Sequence, residues 1–352
     1  MSIVIARTPY RISFFGGGSD YPDWYLREGG AVLSTSIDKY CYISARELPP
    51  FFGVRHRVVW KHIEQVNSIS EILHPAVREG MRHLGFDDDT GMEIHYQGDL
   101  PARSGVGSSS SFSVGLINAL LTLRGERLSQ RELAWKSIEL EQHVLKEPVG
   151  SQDQMAAAIG GLNVYRFGTD GTIEIEPIML PLERQRAIEG RLMLFYTGVS
   201  RLGAQVARDV IDNLAAKQAI VRQMISMVDV GRDVLERGDL DDFGRMLHET
   251  WLLKRSISPQ VSTSLVDDIY DTAREAGALG GKLLGAGNSG FMLFYVPEAQ
   301  RVAVAHALRH FLQVPFGFET TGASIIHDAG RNHMPDARET HVQLQRRRGQ
   351  AA

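Results

Sequence analysis

Between Pro101 and Ser111 the chain reads Pro-Ala-Arg-Ser-Gly-Val-Gly-Ser-Ser-Ser-Ser, and an apolar segment of helical length, Phe112–Leu123, follows directly. Few local features restrict a fold so tightly. Gly105 and Gly107 permit a turn too sharp for other residues and let backbone N–H groups converge on one point. A helix that starts at the serines brings the positive end of its dipole to the same point. The product is an anion cradle, with serine hydroxyls in reach of a phosphate or of a bound Mg²⁺. A plain loop ending in serine N-caps is the simpler alternative. Pro101, both glycines and the paired serines in one frame favour the cradle. No Lys follows the second glycine, so this is not the Walker arrangement.

The rest of the chain must supply a scaffold for that turn. Its 352 residues are too many for one simple core and suit two domains. Short strands (Ile3–Ala6 and Ile12–Phe15 around Pro9, Ala31–Ser36, Tyr40–Ala45, and one through His95-Tyr96) precede the loop, with Ile63–Leu84 read as mostly helical. After it, the capping box Ser129–Glu132 opens a helix running to about Leu145. Leu162–Phe167 and Ile173–Ile178 form a hairpin about Thr169-Asp170-Gly171. A second cycle then starts. It has a strand at Leu192–Tyr196, a long helix over Ala204–Asp233, helices at Phe243–Leu253 and Leu265–Ala276, a strand at Phe291–Val296, a helix at Val302–Phe311 and a last strand at Ser324–His327. The division expected is 1–185, 186–330 and a mobile tail, 331–352.

Composition excludes some classes. With 43% hydrophobic and 23% charged residues, the balance is that of a globular protein. A net charge of -4 gives no reason to expect nucleic-acid or membrane partners. The single cysteine, Cys41, rules out an intrachain disulfide and a Cys-rich zinc site. The first residues lack an apolar signal core, and no run reaches transmembrane length, so a cytoplasmic protein is expected.

The Pro101–Ser109 stretch resembles the phosphate loop of the kinase superfamily named for galactokinase, homoserine kinase, mevalonate kinase and phosphomevalonate kinase (the GHMP kinases), with Val106 where leucine is usual. Two further blocks of that superfamily stand in the right order. Pro9-Tyr-Arg11-Ile-Ser-Phe-Phe-Gly16-Gly-Gly-Ser-Asp20-Tyr21 resembles the substrate-binding block. Lys282-Leu-Leu-Gly285-Ala-Gly287-Asn-Ser-Gly290 resembles the glycine-rich third block, with Asn288 and Ser289 where glycines are usual. The third block also matches Gly-x-Gly-x-x-Gly, but a strand follows where a dinucleotide site requires a helix. The resemblance implies an α+β fold of two domains, an N-terminal ribosomal-protein-S5-like domain and a C-terminal ferredoxin-like domain. It further implies an ATP-dependent, Mg²⁺-assisted kinase acting on the hydroxyl of a small molecule, a sugar or sugar phosphate.

Roles follow residue by residue. Pro101, Ser104, Gly105, Val106, Gly107, Ser108, Ser109, Ser110, Gly285 and Gly287 match the nucleotide-phosphate positions. Asp153, in Val149-Gly-Ser-Gln-Asp-Gln154, is similar to the family's catalytic Asp and is the expected general base; a helix N-cap is its structural alternative. Arg11 falls where relatives place a cation beside that Asp, to offset developing charge. A metal-binding Glu is expected on the preceding helix. Glu141 shares a helical stripe with Ala134, Ile138 and Leu145, whereas Glu139 lies among Glu132, Gln142 and His143. A carboxylate on an apolar stripe needs a partner, which favours Glu141 as the Mg²⁺ ligand, with Ser109 as a second ligand by resemblance.

Asp20 matches the Asp that binds sugar hydroxyls in galactokinase-like members. Galactokinases carry Glu-His where this chain has Gly17 and Gly18, so bulk is missing at the far end of the sugar. The wording of this block and of Gln152-Asp153-Gln154 resembles bacterial heptose 7-phosphate kinases, which phosphorylate the anomeric hydroxyl. A phosphorylated sugar needs cations, and Arg201, Lys254 and Arg255 are the candidates, with a solvated charged face as the alternative. A kinase of a free sugar such as fucose, a silent sugar sensor and an ATP-binding structural subunit remain open as other readings.

Overall fold

The computed structural model describes residues 3–198 and 203–329. Arg201 and the tail 331–352 lie outside the described residues. The chain runs β1 (Ile3–Phe15), α1 (Pro22–Glu28), β2 (Gly30–Glu47), β3 (His56–Val59), β4 (Ile63–Val66), α2 (Pro75–His83), β5 (Met92–Gly98), α3 (Ser108–Leu123), α4 (Gln130–Ile138), α5 (Gln152–Ile159), β6 (Leu162–Phe167), β7 (Ile173–Pro177) and α6 (Leu182–Glu189). It continues through β8 (Leu192–Tyr196), α7 (Gly203–Leu214), α8 (Gln218–Arg237), α9 (Leu240–Ile257), α10 (Ser264–Glu275), β9 (Gly280–Leu283), β10 (Phe291–Tyr295), α11 (Arg301–Ala307), β11 (Leu312–Val314), β12 (Phe318–Glu319) and β13 (Ser324–Asp328).

β1 is one long strand where two apolar runs were expected. It pairs antiparallel with β2 from Ile3↔Arg46 to Phe15↔Leu33. Pro9 is tolerated because β13 reaches only Val4–Arg7 on the other side, and the β1–β2 register shifts just after Pro9, so no ladder bond requires its missing N–H. The two short runs over residues 31–45 likewise join into the single β2. Ile63–Val66, expected to be helical, pairs with His56–Val59 as a hairpin strand; its alternation of exposed Ile63 with buried Glu64 is a strand pattern. Over the sheet lies α3, buried around its circumference, packing on β1, β2 and α5.

The second sheet has strand order β11-β8-β10-β9, all antiparallel, with α7–α10 between its first two strands and α11 between its last two. That is the βαββαβ ferredoxin-like arrangement. The expected division at 185 falls inside α6, a partly exposed short helix rather than a loop. The expected end of the second domain at 330 is corrected: β12 pairs with β2, and β13 pairs with β1, so the chain returns to the first sheet. Pairing between segments so far apart in sequence leaves no local trace. Phe14 and Phe15 join the two units. Both are fully buried and stand edge-on to Phe243 of α9, at 5.2 and 5.0 Å, each worth about 1.5–3 kcal/mol on burial.

Candidate active site

The three glycine-containing blocks meet at the end of β1. Arg11 N donates to Val106 O at 3.0 Å, and Phe291 N donates to Ser104 O at 3.2 Å. Gly105 (φ 85°) and Gly107 (φ 74°) are in the left-handed region. A Cβ on Gly105 would lie 2.5 Å from Leu284 O, and one on Gly285 would lie 2.5 Å from the Cα of Gly105. The two loops thus touch through backbone, and no side chain fits between them. Asn288, where glycine is usual, takes the left-handed conformation at φ 70°, which asparagine tolerates.

The serines have divided tasks. Ser104 Oγ donates to Pro101 O at 2.6 Å, and Ser108 Oγ accepts from Arg103 N at 2.9 Å, so both shape the loop. Ser111 Oγ donates to Pro9 O. Ser110 turns inward, while Ser109 is exposed at the first turn of α3.

Arg11 is buried and bidentate on Asp153: Nε to Oδ1 and Nη2 to Oδ2, each 2.7 Å. Its remaining Nη1 donates to Gly105 O at 2.6 Å, tying this pair to the phosphate loop. Asp153 stands in the first turn of α5. Asp20 is buried beside it; its carboxylate accepts from Gly18 N at 3.1 Å and from the Gln152 side chain. Burial, and then the charge of Asp153, push the Asp20 carboxyl up. Gly150 leaves the room: a Cβ there would land on the Asp20 carboxylate. Cβ atoms added at Gly17 and Gly18 would make only ordinary van der Waals contacts, with Ser13 Oγ at 3.7 Å and Leu214 Cδ2 at 3.9 Å.

α4 does not continue as an α-helix. Glu139–Val144 form a π-helical turn, with Leu145 N donating to Leu140 O. Glu141 points inward and is fully buried; Glu139 points out, its side chain 51% exposed and 3.5 Å from His83. Glu141 accepts from Ser110 Oγ (2.7 Å), Ser113 Oγ (2.8 Å) and the Gln154 amide. Burial pushes its carboxyl up to about 7, against these hydrogen bonds. Of the two residues expected as Mg²⁺ ligands, Glu141 is held by Ser110, Ser113 and Gln154, and the exposed Ser109 hydroxyl interacts with Glu147. Burial raises the Glu147 carboxyl, opposed by Arg103 and Ser109.

Of the three cations expected at a sugar phosphate, Arg201 lies outside the described residues, and the other two have partners within the chain. Lys254 Nζ donates to Leu283 O at 2.9 Å and Gly285 O at 2.5 Å, so it holds the glycine-rich third block from below. Burial, and then the charge of Arg11, pull its ammonium down to about 7. Arg255 pairs with Asp267 at 3.2 Å. A cation not counted in the sequence, the buried Lys282, donates to Phe14 O at 2.8 Å, and burial holds it well below its ordinary value. Its place inside the third block was the available signal; Glu147, beyond the helix, had none.

A nucleotide with its cation fits the loop on two observations. The loop combines a long helix's N-terminus with a backbone turn too tight for side chains. Ser109, Glu141 and Glu147 gather hard oxygen donors there, the chemistry Mg²⁺ takes. Among the described residues no group of three or more His, Cys, Asp or Glu could hold a metal ion.

A phosphate cradle, a carboxylate held by a guanidinium, and a second buried carboxylate beside it suit the chain's chemistry as an ATP-dependent phosphotransferase with an alcohol acceptor. It belongs to the GHMP kinases: the family models for the GHMP kinases N terminal domain and the GHMP kinases C terminal match residues 70–161 and 232–313. Over 88% of its length it is 27% identical to the D-glycero-alpha-D-manno-heptose 7-phosphate kinase of Campylobacter jejuni, covering 94% of that protein. Over 83% of its length it is 26% identical to a bifunctional fucokinase/GDP-fucose pyrophosphorylase of Arabidopsis thaliana, of which it spans 30%. Its fold matches a D-glycero-D-manno-heptose 1-phosphate kinase from Bacteroides thetaiotaomicron with a TM-score of 0.74, at 24% identity, covering 92% of this chain and 99% of that one.

Proposed function

We propose that the chain phosphorylates the anomeric hydroxyl of D-glycero-D-manno-heptose 7-phosphate, with Asp153 as general base. The observation that carries the sugar-kinase chemistry is the Arg11–Asp153 pair, set beside the buried Asp20. Asp153, anchored on both oxygens, takes the proton of the attacking hydroxyl; Arg11 offsets the negative charge that gathers between that oxygen and the loop. Asp20 and Gln152 orient the sugar by hydrogen bonds to its other hydroxyls. The N–H groups of the Gly105–Ser109 turn bind phosphate oxygens, and Lys254 keeps the facing glycine-rich block in place. Ser109 and a carboxylate from Glu141 or Glu147 would hold Mg²⁺, which when bound screens phosphate charge.

The heptose phosphate rests on two supports: the missing side-chain bulk at Gly17 and Gly18, which suits a longer sugar, and the similarity to the Campylobacter jejuni kinase. A second reading, a free sugar such as fucose, is favoured by a different observation. Lys254 and Arg255 are committed to carbonyls and to Asp267, so they are not available to an incoming phosphate. The test is kcat/KM for heptose 7-phosphate, mannose 6-phosphate, mannose and fucose under one set of conditions. The heptose phosphate should win by roughly a thousandfold or more over free sugars, since a site built for an anion is penalised by several kcal/mol without it. A free sugar as the best substrate overturns the first reading and leaves the second.

A further inference from the structure

Two neighbouring residues of the π-turn grip the start of α5 from either side of Asp153. Before it, Gln142 Nε2 donates to Val149 O at 3.1 Å and to Ser151 Oγ at 3.0 Å. After it, Glu141 accepts from the Gln154 amide. We propose that Gln142 is a positioning residue for the reaction: through Val149 and Ser151 it sets where Asp153 and Asp20 stand relative to each other. This rests on the reading of Asp153 as the base and Asp20 as a sugar ligand.

Ser151 sits at the N-cap of α5, where a serine hydroxyl ordinarily accepts from a backbone N–H of the first turn. Here it makes no such bond. The residue is fully buried, and its Oγ accepts from Gln142 and shares a hydrogen bond with Tyr25 Oη at 3.3 Å. The helix that carries Asp153 thus gives up its own cap and is tied to the π-turn instead. The same segment carries Asp20. Ser151 N donates to Asp20 O at 2.9 Å, and a Cβ on Gly150 would lie 1.8 Å from Asp20 Oδ2. A shift of residues 149–151 therefore disturbs both carboxylates at once. Both Gln142 bonds leave the turn that holds it, so the amide serves the neighbouring segment and not its own helix. Turns of this kind are rare, and they gather at functional sites. Arg11 fixes the Asp153 carboxylate, and Gln142 fixes the backbone that presents it. A base must lie within hydrogen-bond reach of the proton it takes, so a small displacement is costly.

The experiment measures single-turnover phosphoryl transfer in the full chain, with ATP and the preferred sugar of the comparison above both saturating. Gln142→Met keeps the length of the side chain and removes the donor. It should slow transfer about ten- to a hundredfold and raise the KM for the sugar, while the Kd for ATP stays within about twofold of wild type. Ser151→Ala, which removes one of the two acceptors, should act in the same direction and less. Glu139→Gln, on the exposed face of the same turn, should keep the wild-type rate. Circular dichroism checks that each variant is folded, and Ser151→Ala takes the place of Gln142→Met if the latter is not. In an Asp153→Asn background, Gln142→Met should slow transfer no further, because residues that act as a unit are not additive. Wild-type transfer in a folded Gln142→Met overturns the proposal and leaves Asp153 as the base. So does an undiminished further loss in the Asp153→Asn background, or a loss of ATP affinity as large as the loss of rate. Wild-type transfer in Asp153→Asn alone overturns the reading of the base, and this inference with it.

Discussion

Arg11 and Asp153 of the first unit meet each other beside the buried Asp20, whereas Lys254 and Lys282 of the second meet backbone carbonyls. All five are largely withdrawn from water, and burial makes each charge expensive unless it is paired. The first unit pairs Arg11 with Asp153 and sets the buried Asp20 beside them. In the second unit the lysines hold Leu283, Gly285 and Phe14 in register, so the glycine-rich block lies against Gly105. Charge near a glycine-rich loop therefore does not by itself mark a ligand site; the partner atom decides.

The comparison breaks most visibly at Arg11. Arg11→Ala should lower kcat by about 10²–10³, the usual cost of removing one preorganised charge-stabilising group, with both substrates saturating. Near-normal turnover would mean that the first unit's pairing is scaffolding too. Lys254→Met should behave in the opposite sense. Losing hydrogen bonds to two carbonyls, each worth about 1 kcal/mol, should raise the KM for ATP about tenfold while kcat and the preference between phosphorylated and free sugars hold. A collapse of that preference would return Lys254 to the sugar site.

Glu141 gives the smallest effect, and its sign can be worked out. Its carboxyl titrates near 4.5 ordinarily and near 7 in the folded chain. Between those values the folded chain holds the extra proton, so this group's contribution to stability falls as pH rises through the window and levels off above it. The drop is about 3 kcal/mol at most. Glu141→Gln removes it, so variant-minus-wild-type stability from urea unfolding should climb between pH 4.5 and 7 and then flatten. Parallel curves would show that Glu141 is not protonated by burial.

What could be read from residues alone followed the range of the interaction. The phosphate loop, the capping box at Ser129 and the hairpin at Asp170 are local arrangements of glycine, serine and charge, and the structure has each of them. The inward face of Glu141 followed from 3.6-residue spacing with Ala134 and Ile138, which precede the π-turn. Past that turn the spacing fails, and Glu147 could not be assigned a direction. β12 and β13 were invisible as parts of the first sheet because their partners lie near the other end of the chain. The charges of Lys254 and Arg255 were legible, but the carbonyls and the Asp267 that absorb them were not.

The central claim is that the proton leaves the sugar on Asp153. Single-turnover phosphoryl transfer with saturating nucleotide isolates that step from binding and product release. In Asp153→Asn the rate should fall by roughly two to four orders of magnitude, the worth of a positioned base, while nucleotide affinity stays within about twofold of wild type. A transfer rate close to wild type in a folded Asp153→Asn would contradict the account.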